Sequence, residues 1–350
     1  MSIRKIFTKP ITFLLLATSI CLPTLGQTTQ EKRVLPLKEA VKSAINSSTN
    51  LKLLEKQSET NRYILSHSDT STYSDNDLAY NIRSNDQNTS YFKDKIEYLT
   101  GSMYNQLIIT DLNLDLLDKK IASTQKDVDV LKLQLSHGYT DQLTLNSKQS
   151  ELDQLTNTKL STEANLTKLK EDFRILTNLS VDNYTLENNI SYEPFRASNS
   201  IKAYITSRLD EMQTYSKEYA EYFDSTLGAR ITLPNSNQIS ESAYANNVLE
   251  KEKLYGNLTI EYNNNLQTLL TQYTSLIDKE KSIENINLQL EVLNKKIDTT
   301  KIKLDAGLAT SIEYDKLLLE KEQLENNLIN TIYQHQDIKN ILNKPWVYLM

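Results

Sequence analysis

The sequence contains few of the residues that turn or cross-link a chain. Its 350 residues include 6 glycines, 6 prolines and 1 cysteine. Glycine and proline together make up roughly 3% of the chain, against about 12% in ordinary proteins. Turns must therefore be scarce and the secondary-structure elements long, which argues against a strand-rich fold. A lone cysteine also excludes a disulfide within the chain.

Positive charge is also in short supply. Lys and Arg number 39 against 45 Asp and Glu, so the formal net charge is −6. An acidic chain lacks the basic surface that neutralises phosphates, and we therefore expect no nucleic-acid partner. The hydrophobic fraction of 39% is nevertheless sufficient to form a core.

Residues 1–26 have the pattern of a secretory signal peptide. Three basic residues precede an apolar run, 11–22, and a small-residue cleavage site that ends at Gly26. An apolar run of about 12 residues is too short for a membrane span, which needs about 20. Lipidation of Cys21 is disfavoured, because Ile20 stands where that processing requires a small residue. We therefore predict that the chain is exported.

Apolar residues recur at helical spacing in two proline-free stretches, 37–193 and 235–344. In the first stretch a heptad seam runs from Leu107 to Leu135, stops at Gly138, and resumes between Leu152 and Leu176. This pattern predicts two antiparallel helices joined by a turn. Each arm of about 40 residues would be ~60 Å long.

The hairpin pattern occurs twice in the sequence. A shift of 169 residues (307 − 138) takes Gly138 to Gly307 and carries the first apolar seam onto a second one without a gap. A register that is kept on both sides of a turn indicates an internal duplication. The predicted fold class is therefore mainly all-α, with two repeats of a long antiparallel coiled-coil hairpin.

This duplication divides the chain after the signal peptide. The first repeat is predicted at 27–193 with its hairpin tip near 138, and the second at 194–350 with its tip near 307. Upstream of the hairpins, Leu37–Leu65 and Ile201–Leu227 are predicted to be the paired first helices of the two repeats.

Several local patterns resemble one known family. They are the start Leu35-Pro36-Leu37-Lys38-Glu39-Ala40-Val41 and the two hairpin tips, 136–143 (SHGYTDQL) and 305–312 (DAGLATSI). Together with the predicted export and duplication, they resemble the TolC-like outer membrane efflux family. The resemblance implies a homotrimer that forms a helical tunnel, a periplasmic adaptor protein that docks on the tips, and an inner-membrane pump. It also implies a place in the cell envelope: outer membrane and periplasm where the cell has an outer membrane, and the cell surface otherwise.

The resemblance further implies two sets of site residues. The adaptor-contacting positions at the tips are His137, Gly138, Tyr139, Ala306, Gly307 and Leu308. Glu313, six residues past Gly307, would contribute to an acidic ring at the tunnel entrance, where its equivalent in the first repeat, Thr144, carries no charge. Two simpler interpretations stay open: the glycines only turn the chain, and Glu313 only stabilises a helix start.

One feature departs from the family pattern. Members that cross the outer membrane insert long alternating strands into each repeat, to build a shared barrel. The windows for these strands here are 68–92, which opens with a polar run, and 228–243, which is short and contains Pro234. We therefore expect the barrel strands to be reduced or absent.

Catalysis finds little support in the sequence. His67, His137 and His335 lie far apart and form no metal-binding spacing, so we predict no metal, no cofactor and no enzyme activity. The tyrosines are expected to fill half-buried helix positions, and the apolar end of the chain, 345–350, to be buried. Two functions remain open: a component of an export system, or an exported coiled-coil scaffold of the envelope that conducts nothing.

Overall fold

Long helices form most of the computed structural model, which describes residues 32–68, 73–188, 190–227 and 241–349. Within these ranges the elements are β1 (Arg33–Leu35), α1 (Leu37–Ser47), α2 (Thr49–Ser66), α3 (Tyr73–Ser136), α4 (Gln142–Thr177), β2 (Tyr184–Leu186), α5 (Ile201–Met212), α6 (Thr214–Ser225), α7 (Glu241–Asp305), α8 (Ser311–Asn343) and α9 (Trp346–Leu349). A short 3₁₀ helix, Val181–Asn183, precedes β2. The predicted signal peptide, 1–26, lies outside the described residues.

Two helical hairpins dominate these elements. Helix α3 has 64 residues and packs against α4, and α7 has 65 residues and packs against α8. The predicted seams are buried or half-buried, and they are fully buried at Leu107 and Val128 in the first hairpin and at Leu276 and Ile283 in the second. At 1.5 Å per residue each long helix extends for roughly 100 Å. The prediction of a mainly α-helical fold built on two long hairpins is confirmed.

Each of the two predicted first helices is interrupted and forms two shorter helices. Leu37–Leu65 forms two helices, α1 and α2, separated at Ser48, whose hydroxyl accepts a hydrogen bond from Leu51 N–H (3.2 Å). Ile201–Leu227 likewise divides into α5 and α6 at Gln213. The buried amide of Gln213 donates to the Leu258 carbonyl of α7 (3.2 Å), so a tertiary contact fixes this break.

A small parallel sheet joins the residues just before α1 to those just after the first hairpin. Strand β1 pairs with β2 in register from Arg33 opposite Tyr184 to Leu35 opposite Leu186. The buried Tyr104 hydroxyl on α3 donates to the Leu35 carbonyl (2.6 Å) and accepts from Glu187 N–H (2.5 Å). One side chain therefore fixes both strands to the hairpin.

The two hairpins contact each other along α3 and α8. The buried Asn326 amide donates to the Leu112 carbonyl (3.1 Å), and Lys119 pairs with Glu322 (2.7 Å). Nearer the tips, Lys316 of α8 pairs with Asp127 of α3 (2.8 Å). Residues Arg33–Met350 form one compact unit, and the division into repeats at 27–193 and 194–350 stays a prediction.

The windows predicted for missing strands are described only in part. Residues 73–92 of the first window belong to α3 and are helical, whereas 69–72 and most of the second window, 228–240, lie outside the described residues. In the part of the chain that the structure describes, no helix is both long enough and apolar enough to cross a membrane.

Candidate functional site at the two hairpin tips

The first hairpin tip turns on a glycine with left-handed backbone geometry. Gly138 has φ +75°, its N–H donates to the Leu135 carbonyl (3.0 Å), and the N–H of Tyr139 donates to the Gln134 carbonyl (2.8 Å). These two bonds form a Schellman motif, which satisfies carbonyls at the end of α3. A glycine is favoured here because left-handed geometry costs a side-chain-bearing residue about 1–2 kcal/mol.

The second tip repeats this geometry. Gly307 has φ +70°, and its N–H donates to the Leu304 carbonyl (3.0 Å). The N–H of Leu308 donates to the Lys303 carbonyl (2.7 Å), as that of Tyr139 does to Gln134. Two tips placed at equivalent sequence positions therefore end their first helices with the same hydrogen bonds.

An acidic residue and a threonine stand three residues apart at the start of each return helix, in opposite order at the two tips. At the first tip the Asp141 carboxylate accepts from Thr144 N–H (2.7 Å). At the second, Thr310 accepts from Glu313 N–H (3.2 Å), and the Glu313 carboxylate accepts from Thr310 N–H (2.9 Å), which completes a capping box. Each return helix therefore has one capping carboxylate at its start. The capping role of Asp141 was not predicted from the sequence. An aspartate directly before a helix with apolar periodicity is the signal that could have predicted it.

Hydrogen bonding sets the ionisation of both carboxylates. The Thr310 backbone N–H lowers the pKa of the Glu313 carboxyl below its usual value, and the Thr144 N–H does the same for the pKa of Asp141. Both groups are charged at neutral pH and stabilise the positive end of a helix dipole. The interpretation of Glu313 as a helix-start residue therefore has a direct geometric basis within one chain.

Large apolar side chains are exposed at the tips. Tyr139 is 82% exposed and Leu308 is 78% exposed, one beside each turn glycine. The His137 ring lies parallel to the Tyr139 ring, with centroids 6.2 Å apart. Ala306 is also exposed, so all six predicted contact residues are accessible at the ends of the two hairpins. A patch of this kind, apolar side chains beside polar ones, is suited to binding another protein.

A buried histidine fixes the segment that leads into α5. His335 on α8 is 1% exposed, and its Nε2 lies 3.3 Å from the Glu280 carboxylate on α7. The same carboxylate accepts from Phe195 N–H (2.6 Å). Burial lowers the pKa of the His335 imidazole. His335 is thus a buried residue of the seam between α7 and α8. Among the described residues, no three His, Asp or Glu side chains are grouped to hold a metal ion.

Comparison with solved structures identifies the fold. The chain is similar to CusC, a protein whose structures concern folding and transmembrane channel formation, with a TM-score of 0.67 and 9% identity over 89% of this chain and 91% of that one. It is also similar to the CmeC outer membrane channel of Campylobacter jejuni (TM-score 0.61, 12% identity, 89% and 85% covered). The chain has the TolC-like fold.

A third TolC-like structure agrees with these two. The MtrE outer membrane channel of Neisseria gonorrhoeae, in its open state, matches with a TM-score of 0.59 and 8% identity over 89% of this chain and 88% of that one. No protein-family model matches the sequence, and no curated protein matches it either. The likeness is therefore one of fold.

Proposed function

We propose that the chain is an exported subunit of an efflux channel in the cell envelope. It would assemble as a homotrimer, receive a periplasmic adaptor at its hairpin tips, and work with an inner-membrane pump. The observation that carries this proposal is the shared fold: 89% of the chain matches the outer membrane channels CmeC and MtrE. These neighbours are channels rather than enzymes, and the proposal includes no catalytic step.

The exposed hairpin faces support assembly. Leu288 is 55% exposed and Val292 is 67% exposed, and the two lie four residues apart on one face of α7. Leu160 on α4 is exposed as well. These side chains point away from the partner helix within the chain, so a neighbouring copy would bury them. Cyclic closure gives every hairpin a neighbour on each side.

The tips support adaptor binding. Tyr139 and Leu308 are the exposed apolar residues at two turns of matched geometry, so one partner could recognise both by the same contacts. In a trimer the two tips of each chain would form a ring of such patches. Glu313 would bring three carboxylates to that end of the assembly, which keeps the predicted acidic ring within the proposal.

Oligomeric state tests the proposal most directly. The chain without residues 1–26 should sediment as a trimer, in buffer or in mild detergent. Val292→Asp should shift it to monomer, because a charge would have to be buried between copies. Asn294→Asp, a change at an exposed polar position nearby on α7, is the matched control and should remain trimeric. A wild-type chain that stays monomeric throughout would contradict a channel and favour the coiled-coil scaffold.

A further inference from the structure

The four long helices pack in a row. Helix α4 packs against α3, α3 against α8, and α8 against α7. The middle contact joins the first helix of one hairpin to the return helix of the other. Helices α4 and α7 stand at the two ends of the row, and each of them packs against one of the other three long helices in the described part of the chain. Each therefore has an outer flank that no long helix covers.

The internal repeat relates the ends of this row to its middle. The shift of 169 residues (307 − 138) takes α3 onto α7 and α4 onto α8. If two copies of the chain stand side by side, α7 of one copy meets α4 of the next. That pair again consists of a first helix and a return helix, as α3 and α8 do within one chain. The α3–α8 contact is therefore a template for a contact between copies.

The buried hydrogen bond of the template has its residues repeated on the outer flanks. Asn326 of α8 is 5% exposed, and its amide donates to the Leu112 carbonyl of α3 (3.1 Å). The shift of 169 residues relates Asn326 to Asn157 of α4, an exposed asparagine, and Leu112 to Lys281 of α7. The acceptor is a backbone carbonyl with two lone pairs, so the Lys281 carbonyl can accept from Asn157 whatever its side chain does.

A second polar contact is repeated with a change of residue type. The Lys120 amine of α3 donates to the side-chain carbonyl of Gln323 on α8 (2.8 Å). The equivalent residues are Gln289 of α7 and Gln154 of α4, both exposed. Two glutamine amides can form the same kind of hydrogen bond, because each carries a donor and an acceptor.

Leucines on the outer flanks stand where the template is charged or apolar. Lys119, which pairs with Glu322 in the template, has Leu288 as its equivalent, and Leu288 is 55% exposed. Leu160 is 59% exposed, and its equivalent, Ile329, packs against the core cluster of the first hairpin. Burial of both leucines between copies would remove apolar surface from water, which favours association.

We propose that α4 of one copy packs against α7 of the next in the register of the α3–α8 contact. Asn157 then donates to the Lys281 carbonyl of the neighbouring copy. Gln154 pairs with the neighbour's Gln289, and the two exposed leucines are buried. The partner is a second copy of this chain, because the outer flanks repeat residues of a contact that the chain already makes with itself. This inference rests on the assembly in the proposed function, and it adds which surfaces meet and in which register.

Cysteine cross-linking tests the register. Without residues 1–26 the chain has lost its only cysteine, Cys21, so introduced thiols react alone. In the double variant Gln154→Cys and Gln289→Cys, a short bismaleimide should join the copies and give covalent dimers and trimers on denaturing gels. Thr156→Cys combined with Gln289→Cys is the matched control and should join none. Thr156 is exposed but lies two residues on, about 200° around α4.

The equivalent pair within one chain calibrates the reagent. Lys120→Cys combined with Gln323→Cys should react without joining copies, because both residues belong to the same α3–α8 contact. If that pair reacts and the protein sediments as a trimer, yet Gln154→Cys and Gln289→Cys stay unlinked, the register is wrong and the proposed channel subunit stands. A chain that forms no trimer overturns both.

The hydrogen bond between copies has its own test. Asn157→Ala should weaken association about fivefold at each contact, which corresponds to the loss of one net hydrogen bond. Sedimentation over a range of protein concentrations measures the change, and circular dichroism establishes that the variant is folded. Asn294→Ala removes an exposed asparagine of α7 that lies outside the outer flank, two residues from Val292, and should associate as the wild type does. Unchanged association of Asn157→Ala would overturn the proposed register.

Discussion

The indole N–H of Trp346 donates to the Asp94 carboxylate at 2.7 Å, which joins the end of the chain to α3. Lys344 pairs with the same carboxylate (2.8 Å), and the Trp346 ring stacks on Tyr91 with centroids 4.2 Å apart. Trp346 and Val347 are buried, as expected for this apolar end. The C-terminal residues therefore form part of the core where α3, α5, α7 and α8 meet.

We expect this contact to contribute strongly to stability. Trp346→Ala should lower the free energy of unfolding by about 3–5 kcal/mol, because it removes a large buried ring and leaves a cavity. Trp346→Phe keeps most of the packing and should cost less, mainly the hydrogen bond to Asp94. Urea denaturation at fixed protein concentration measures both changes. Tyr348→Ala is the control, since Tyr348 is half exposed; an equal loss there would contradict a specific role for Trp346.

Local sequence signals were sufficient for the hairpins. Their seams follow a heptad repeat, and their tips require glycine at a positive φ, so periodicity and one residue type predict both. The break at Gln213 was not predictable in this way, because helix α5 ends where the Gln213 side chain meets α7. The break at Ser48 did have a local signal, a serine at the N-cap of α2, which the prediction of one helix over Leu37–Leu65 did not use. The parallel pairing of β1 with β2 likewise depends on Tyr104, which lies far from both strands in sequence.

The same distinction between local signals and tertiary contacts applies to the surface features. Exposure of Tyr139 and Leu308 follows from their place beside a turn glycine, which a sequence reveals. The cleft between α3, α6 and α7 does not, because Tyr80, Tyr215 and Asn257 come together only through tertiary packing. Scattered positions in sequence became neighbours in space.

The turn glycines should respond to substitution differently from a glycine inside a helix. Gly138→Ala or Gly307→Ala should each lower the free energy of unfolding by about 1–2 kcal/mol, because alanine is strained at their positive φ. Gly256→Ala should raise it by up to about 1 kcal/mol, since Gly256 lies within α7 and a methyl group there meets no atom within 4 Å. Urea denaturation measures both changes. A loss of stability in the two turn variants with a gain in Gly256→Ala would agree with this argument, and equal changes in all three would contradict it.

Asp337 should make stability depend on pH. Burial raises the pKa of its carboxyl from 3.8 to about 6, although the Ser102 hydroxyl donates to it (3.2 Å). The folded state therefore binds this proton more tightly than the unfolded state, and the resulting stabilisation is complete below about pH 3.8 and lost as pH rises through about 6. Asp337→Asn should gain stability relative to the wild type as pH rises from 4 to 7.

The contribution of Asp337 is isolated by the difference in free energy of unfolding between the wild type and Asp337→Asn at each pH. His335, whose pKa burial lowers, acts in the opposite direction, since its stabilising effect is lost as pH falls. It is present in both the wild type and Asp337→Asn, so its contribution cancels in their difference. Asp315→Asn, a change at an exposed position, is the control and should show no such trend. A difference between wild type and Asp337→Asn that does not vary with pH would argue against a raised pKa.

The hairpin tips should carry adaptor binding independently of folding. The double variant Tyr139→Asp and Leu308→Asp should retain its helical circular dichroism, because both side chains are exposed. Its capture by a purified adaptor of the membrane-fusion class should be abolished, because charge replaces the apolar contact at both tips. Tyr244→Asp places the same charge at an exposed tyrosine on α7, away from the tips, and should be captured normally. Unchanged capture of the double variant would leave the glycines with a turning role only.

Glu313 provides the sharpest test of the assembled state. If three chains bring their Glu313 carboxylates together, the assembly should bind divalent cations, because closely spaced like charges attract counterions. Glu313→Gln removes the charge yet keeps a side chain that can complete the capping box with Thr310, so helix α8 should still start normally. Isothermal titration with Mg²⁺ should therefore show affinity lost in Glu313→Gln and retained in Asp315→Asn, which lies two residues on and faces about 200° away. Equal Mg²⁺ affinity in wild type and Glu313→Gln would restrict Glu313 to capping its own helix.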